Sequence, residues 1–277
     1  MVSLTDMHPV LFRIGSQPIY TYGVLVAAGV LVGLWYLRRQ APRAGLDPKQ
    51  TTDMAIYAIF AALFVAKIWY VFGDWSYYTA HPRDILSVAT IESGGTFYGG
   101  VVGALLLIAI YSYIYDMPLL AVVDAFAAAL PIGHAIGRLG CFMAGCCFGK
   151  PTTLPWGVAF TSPVAGRING TPLGIPLHPT ELYEAAAEFV NFGILVWMGK
   201  RQRFKGQLLG TYFVLYGCER GTIEFFRGDP GRAMMFHNSF SLMQVVSVAL
   251  ILTGCFLWYR GLRGASPVEP IVVAVQE

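Results

Sequence analysis

His134 and Arg138 are the residues best suited to chemistry in the stretch Pro131–Gly149. They are four positions apart, so a helix would place both on one face. Their neighbours are apolar, and an arginine at membrane depth costs about 2.5–3.5 kcal/mol, so it usually faces a polar cavity. The stretch then becomes rich in glycine and cysteine, and glycine lets a ligand or a backbone approach closely. We therefore predict that this turn forms the floor of an active site.

The composition is that of an integral membrane protein. Of the 277 residues, 56% are hydrophobic and only 13% are charged, whereas a soluble domain is nearer a quarter charged. The few cysteines and many aromatic residues argue against a disulfide scaffold and against disorder. Apolar runs long enough for a bilayer predict seven spans, at Ile19–Leu37, Thr52–Phe72, Tyr98–Tyr115, Leu119–Ile136, Leu182–Met198, Leu208–Phe226 and Phe240–Tyr259.

The predicted fold class is therefore an all-α polytopic membrane protein with about seven transmembrane helices. We expect residues 1–277 to form a single transmembrane domain, with a small extracytoplasmic segment at residues 145–177 between helices 4 and 5. Basic residues in short loops favour the cytoplasm. They cluster in the first loop, the fifth loop and the tail, which predicts an external N-terminus and a cytoplasmic C-terminus. These residues are Arg38, Arg39, Arg43, Lys49, Lys200, Arg201, Arg203, Lys205, Arg260 and Arg263.

The fifth and sixth predicted spans carry more charge than a lipid-facing helix tolerates. Glu181, Glu184 and Glu188 share one helix face after His178-Pro179, and need polar neighbours if they enter a bilayer. In the sixth span Arg220 and Glu224 are spaced for an ion pair within one helix.

Two arginines are predicted to reach the outer half of the membrane. We expect Arg138 and Arg220 to have too little acid near them to be neutralised. Two guanidinium groups at headgroup depth suit a phosphate, which arginine binds in a bidentate manner. The phosphate available there belongs to a phospholipid headgroup.

At these residues the chain resembles the prolipoprotein diacylglyceryl transferase family over nearly its whole length. The family signature reads Gly-Arg-x-Gly-Asn-Phe-x-Asn-x-Glu-x-x-Gly. The stretch from Gly137 to Gly149 keeps its glycines, its arginine and its phenylalanine. It replaces the two asparagines and the glutamate by Cys141, Ala144 and Cys146.

Further family motifs recur in order along the chain. They are the His-Pro-x-x-Leu-Tyr-Glu run that begins at His178, and the Arg-x-x-x-Glu-Phe-x-Arg run from Arg220 to Arg227. Tyr22-Gly23 matches a Tyr-Gly pair in the first span. Tyr98-Gly99-Gly100 stands where the family often has His-Gly-Gly, and Lys67 stands where an arginine is usual.

The resemblance implies a bacterial enzyme of the cell inner membrane, multi-pass, with a periplasmic N-terminus. Its reaction moves a diacylglyceryl group from phosphatidylglycerol to the thiol of a lipobox cysteine in prolipoprotein signal peptides, the first step of lipoprotein maturation. The implied partners are these two substrates and membrane lipids, with no nucleic acid. The chemistry requires no metal and no cofactor.

The resemblance also implies roles for particular residues. Arg138 and Arg220 would bind the leaving phosphate, His178 would deprotonate the acceptor thiol, and Glu224 would orient Arg220. These four are the predicted catalytic residues. The predicted substrate-binding residues are Tyr22, Tyr98, Gly99, Gly100, Gly140, Gly149, Tyr183, Glu184, Tyr216 and Arg227.

The cysteines leave alternatives open. Cys141, Cys146 and Cys147 do not have a recognised zinc spacing. Two of them could form a disulfide in an oxidising compartment. The default hypothesis is that all three only pack against their neighbours. Two other functions remain: a non-catalytic lipid-binding or sorting protein on the same fold, and a membrane thiol-redox enzyme that uses these cysteines.

Overall fold

A computed structural model describes residues 9–87, 95–229, 233–235 and 240–264. These residues are mainly helical, as the apolar runs predict. The helices are α1 (Thr21–Gln40), α2 (Pro48–Gly73), α3 (Trp75–Ala80), α4 (Phe97–Ile114), α5 (Leu119–Ala144), α6 (Pro163–Asn169), α7 (Thr180–Gly199), α8 (Gln207–Ile223) and α9 (Leu242–Gly264). Three two-stranded antiparallel pairs accompany them: β1 (Val10–Ile14) with β2 (Gln17–Tyr20), β3 (Val158–Ala159) with β4 (Pro176–Leu177), and β5 (Met234–Met235) with β6 (Phe240–Ser241).

Five described helices are long and apolar enough to cross a membrane. They are Thr21–Ala44 (α1 with a short 3-10 extension), α2, α4, α5 and α9. The remaining two predicted spans are also helices, but α7 carries three glutamates and α8 has only 17 residues. The chain is thus a multi-pass, all-α membrane protein, and the count of seven spans stays a prediction.

The chain divides into two compact units. One joins Met1–Leu37 to Val123–Glu277, and the other is Arg38–Val122. In the second unit α2 and α4 pack closely because small residues line the contact. A Cβ added at Gly99 would lie 2.7 Å from Cβ of Trp69, so only glycine permits this approach. A single domain over residues 1–277 remains a prediction.

In the first unit a buried carboxylate anchors the start of α8. Asp124 of α5 is 1% exposed. It accepts hydrogen bonds from the backbone N–H groups of Gly206 (2.6 Å) and Leu209 (2.9 Å), and from the Gln202 side chain (2.6 Å). The first N–H groups of a helix have no partner within it. Asp124 therefore satisfies the start of α8 from a distant helix.

The end of α5 differs from the sequence prediction. The predicted span stops at Ile136, and the glycine-rich part was expected to be a turn. Instead the helix continues to Ala144, so Gly137 and Gly140 are helical. The chain leaves the helix only at Gly145, whose φ of +71° is in the left-handed region that glycine favours. As a result, Arg138 lies within the helix and not at its end.

The segment from Gly145 to Leu177 folds onto the end of α5. Its side chains Phe148, Val158, Phe160 and Leu177 form a small buried cluster with Phe142 of α5. The side-chain amide of Asn169 donates to the carbonyl of Ala144 (2.9 Å), and the Thr171 hydroxyl donates to the carbonyl of Gly145 (2.6 Å). These bonds satisfy carbonyls that a helix end leaves free and fix the turn that follows α5.

Candidate active site

Two helices of the first unit place opposite charges face to face. On α5, His134 and Arg138 lie one turn apart, as their spacing predicts. On α7, Glu184 Oε2 is 3.0 Å from Arg138 Nη2, and Glu184 Oε1 is 3.3 Å from His134 Nε2. The other ring nitrogen of His134, Nδ1, is 2.6 Å from Oε1 of Glu188. Glu184 and Glu188 of the glutamate stripe thus have the polar neighbours that the sequence requires.

The network extends further through α7 and α8. Glu188 is fully buried, and its Oε1 accepts a hydrogen bond from the Tyr212 hydroxyl at 3.2 Å. The amide of Asn191 donates to Glu188 Oε2 (3.4 Å) and to Glu219 Oε2 (2.6 Å). A buried charge is tolerated when it is paired and hydrogen-bonded. This network therefore holds Glu184 and His134, and through them Arg138, in place.

The end of α8 and the turn after it supply two more ion pairs. Arg220 Nη2 lies 2.8 Å from Glu224 Oε2, as the i, i+4 spacing predicts. Arg227 binds Asp229 in a bidentate manner, with Nε to Oδ1 at 2.6 Å and Nη2 to Oδ2 at 2.7 Å. Burial lowers the pKa of Arg227, but the bonds to Asp229 outweigh that effect and the net pKa is raised. Arg227 therefore stays charged.

The expectation that Arg138 and Arg220 lack nearby acid is wrong. Each has a glutamate within 3.0 Å; Arg138 obtains its partner from α7, which is distant in sequence. The pairs do not use every donor, however. Nε of Arg138 and Nη1 of Arg220 are buried and have no hydrogen-bond partner among the described residues. Both guanidinium groups retain N–H donors that could form hydrogen bonds to an incoming oxyanion.

Three separate chain segments meet beside these arginines through backbone hydrogen bonds. Gly149 N–H donates to the carbonyl of His178 (3.0 Å), and His178 N–H donates to the carbonyl of Lys150 (3.0 Å). Lys150 N–H donates to the carbonyl of Phe226 (2.8 Å), and Gly228 N–H donates to that of Phe148 (3.0 Å). A side chain at Gly149 would clash with His178 and with the Phe226 carbonyl. This predicted site glycine is therefore needed for the close approach of backbones.

His178 lies on the rim of this meeting point. Its Nδ1 is 3.2 Å from the Tyr183 hydroxyl, which also accepts a hydrogen bond from Trp156 Nε1 at 2.8 Å. The His178 ring packs against that of Phe226, with centroids 5.2 Å apart. Burial, and secondarily the charge of Lys150, lowers the pKa of His178 below its ordinary 6.5. The imidazole is thus neutral at pH 7, as a general base must be.

Other predicted residues of the first unit also lie at this site. Tyr22, near the start of α1, contacts Gly140: a Cβ at Gly140 would be 3.3 Å from the Tyr22 ring. Tyr216 of α8 packs on His134, with ring centroids 5.8 Å apart. Tyr98, Gly99 and Gly100 begin α4 in the second unit, so their part in the site stays a prediction.

The three clustered cysteines are free thiols, so no disulfide joins them in the structure. Their Sγ atoms all lie within 4.8 Å of one another. Arg138 Nη1 donates to Cys141 Sγ at 3.3 Å. Hydrogen bonds from Cys141 and Cys146, and then the charges of Arg138 and Arg227, lower the pKa of the Cys147 thiol. Among the described residues these three are the ones grouped closely enough to hold a metal ion.

Sequence reasoning missed several members of the network. Tyr212 and Asn191 support the site but lie in runs that are typical of ordinary helix, whereas Glu219 lies in the charged run of the sixth predicted span. Glu181 is the first member of the glutamate stripe that the sequence indicated. Its carboxylate is fully buried, and neither oxygen has a hydrogen-bond partner among the described residues.

The fold and this site define a class: a multi-pass membrane protein whose polar core carries arginine–glutamate pairs. A family model described as prolipoprotein diacylglyceryl transferase matches residues 9–260, and the chain belongs to that family. It is 34% identical to the phosphatidylglycerol–prolipoprotein diacylglyceryl transferase of Nitratidesulfovibrio vulgaris, over 96% of this chain and 98% of the relative. The enzymes of the same name from Clostridium tetani and Thermosynechococcus vestitus are each 32% identical, over 91% and 90% of this chain and 97% and 92% of their own length.

Proposed function

We propose that this protein transfers the diacylglyceryl group of phosphatidylglycerol to the thiol of a lipobox cysteine in a prolipoprotein signal peptide. The thiolate sulfur forms a bond to the terminal glycerol carbon of the lipid. The bond between that carbon and its phosphate oxygen breaks, and glycerol phosphate leaves with the electron pair. The thiol proton passes to a base. Family membership supports this reaction class, and the residues of the site support its steps.

The observation that carries the proposal is the unused donor capacity of Arg138 and Arg220. Nε of Arg138 and Nη1 of Arg220 have no partner among the described residues, and both side chains are held by glutamates. Donors fixed before the reaction stabilise developing charge without having to reorganise. We infer that they bind the phosphate as the carbon–oxygen bond breaks. Glu224 and Glu184 act as positioning residues that aim the two guanidinium groups.

His178 is the proposed base for the acceptor thiol. A free thiol has a pKa near 8.5, so a neutral imidazole can accept its proton at pH 7. The Tyr183 hydroxyl at 3.2 Å orients the ring. Tyr22 and Tyr216 would line the lipid path, and Tyr98, at the position where the family often has histidine, would donate a hydrogen bond.

The proposed setting is the inner membrane of a bacterium, with the N-terminus and residues 145–177 on the periplasmic side. The basic loops support this orientation: Arg38 and Arg39 end α1, and Lys200 follows α7. The site then lies in the outer half of the bilayer. Phosphatidylglycerol and the signal peptide are both present there.

The test uses purified full-length protein in nanodiscs that contain labelled phosphatidylglycerol, with a lipobox peptide as acceptor. Wild type should yield the thioether-linked peptide and glycerol phosphate in equal amounts. Arg138→Ala and Arg220→Ala should each abolish transfer, and lysine at either position should restore little, because a point charge lacks the bidentate fork. Arg167→Ala, on the exposed side of α6, is the matched control and should transfer normally.

Near-normal transfer by either alanine variant would remove the phosphate-binding role. Binding of phosphatidylglycerol by wild type without any product would favour the non-catalytic lipid-binding alternative. Complementation of a strain depleted of its own transferase gives the same distinction in cells.

A further inference from the structure

The cysteine cluster consists of Cys141, Cys146 and Cys147. Cys141 lies in the last turn of α5, and the other two follow directly after the helix. Their three Sγ atoms are within 4.8 Å of one another. Three sulfur atoms this close together can bind one metal ion between them.

The backbone is shaped to produce this convergence. Gly145 and Cys147 both have positive φ values, +71° and +66°. The left-handed conformation costs an L-residue roughly 1–2 kcal/mol, so Cys147 is held in it by its surroundings. Cys146 N–H donates to the Cys141 carbonyl (3.1 Å), and the Thr180 hydroxyl donates to the Cys147 carbonyl (2.8 Å). The turn is tied at both ends.

The surrounding charge suits a cluster of thiolates. Arg138 Nη1 donates to Cys141 Sγ at 3.3 Å, a contact that stabilises sulfur-centred negative charge. Three thiolates carry a net charge of −1 with Zn(II) and −2 with Cu(I), and Arg138 keeps its contact with Cys141 Sγ in addition to its ion pair with Glu184. Such outer contacts orient metal ligands and tune the ion.

We propose that Cys141, Cys146 and Cys147 bind one thiophilic d10 metal ion, Zn(II) or Cu(I), through their three sulfur atoms. Soft thiolate ligands select these ions. With metal–sulfur bonds of about 2.3 Å, the sulfur atoms of such a site are separated by roughly 4 Å, so only a small contraction is required. Binding forms three metal–sulfur bonds and releases the three thiol protons to solvent. Zn(II) would complete its tetrahedron with water, whereas Cu(I) accepts three sulfurs.

The role of the ion is structural, and it does not depend on the transfer reaction. It would lock the last turn of α5 to the segment that follows, and so fix the backbone beneath Arg138. It would also mask thiols that otherwise compete with the lipobox cysteine for the same glycerol carbon. The uncommon Cys-x4-Cys-Cys spacing is accommodated because the left-handed residues fold the chain back.

The full-length protein is purified under argon, without chelator or reductant. Its zinc and copper contents are then measured by inductively coupled plasma mass spectrometry. Wild type and the matched control Cys218→Ser/Cys255→Ser, which removes the two exposed cysteines, should each contain one ion per chain. Cys141→Ser, Cys146→Ser and Cys147→Ser should each lose it. Chelators selective for zinc or for Cu(I) identify which ion leaves.

A second measurement needs no variant of the site. Wild type stripped of metal is titrated with Cd(II), then alkylated and mapped by peptide mass spectrometry. Cys141, Cys146 and Cys147 should be protected together at one equivalent of Cd(II), while Cys218 and Cys255 react as before. Equal alkylation of all five, a metal content no higher than in Cys146→Ser, or a disulfide between any two of the three would each overturn the proposal.

Discussion

Glu184 offers the most quantitative test of how the site is held. Its two carboxylate oxygens contact Arg138 Nη2 at 3.0 Å and His134 Nε2 at 3.3 Å, and the side chain is buried. Glu184→Gln keeps the shape and removes the charge. A hydrogen bond to a charged group contributes about 1.5–3 kcal/mol and a neutral one about 0.5–1.5. The loss of about 1–1.5 kcal/mol corresponds to a transfer rate roughly 5–13-fold lower.

Glu184→Ala should be far worse. Removing one partner of a buried ion pair costs about 3–5 kcal/mol, because the other charge is left uncompensated. If that whole cost falls on the transition state, transfer slows by between about 150-fold and 5,000-fold. The alanine variant should therefore be at least ten times slower than the glutamine variant, a difference of about 1.5 kcal/mol or more.

The assay is single-turnover transfer in nanodiscs, with thermal unfolding measured on the same samples. Asp84→Asn is the matched control, since it removes a carboxylate charge outside the network, where Asp84 accepts a hydrogen bond from the exposed Tyr77 hydroxyl; its transfer rate should stay within about threefold of wild type, as expected for a change below 1 kcal/mol. Equal rates for the two Glu184 variants, or an alanine variant as fast as the control, would refute the positioning of Arg138 by Glu184.

Three further outcomes are expected. A reporter fused after Tyr259 should read cytoplasmic and one inserted near Thr171 periplasmic; both on one side would contradict the topology. Transfer should fall as pH drops through the lowered pKa of His178, below 6.5, because protonation removes the base; Lys150→Gln should move this limb to higher pH, and an unchanged profile in His178→Gln would exclude the base. Asp124→Ala should lower the unfolding temperature while spectra remain helical, because it removes three hydrogen bonds, each worth about 0.5–3 kcal/mol; unchanged stability would contradict the anchoring role.

The parts of the site predicted from sequence are those with short-range rules. The helical spacing of His134 and Arg138 predicted their shared face, and that of Arg220 and Glu224 predicted their ion pair. Apolar length predicted which segments are helices. Residues of the family motifs could be named because the resemblance supplied them.

The parts that sequence reasoning missed depend on contacts across the chain. No local rule links Arg138 to Glu184, since they lie on different helices. Glycines suggested that α5 ends early, but packing of the segment from Gly145 to Leu177 keeps it helical to Ala144. The convergence of the cysteines depends on the left-handed turn at Gly145 and Cys147, which spacing alone does not encode.

The pairing of Arg138 with Glu184 has a consequence for how the chain is made. The ribosome adds the partner only about 50 residues after the arginine, which takes roughly 2–10 s at 5–20 residues per second. During that interval α5 would carry an unneutralised guanidinium, at a cost of about 2.5–3.5 kcal/mol for entering lipid. Pairing with Glu184 offsets this cost only once α7 has been synthesised and lies beside α5, so α5 is more stable in the bilayer together with α7 than alone.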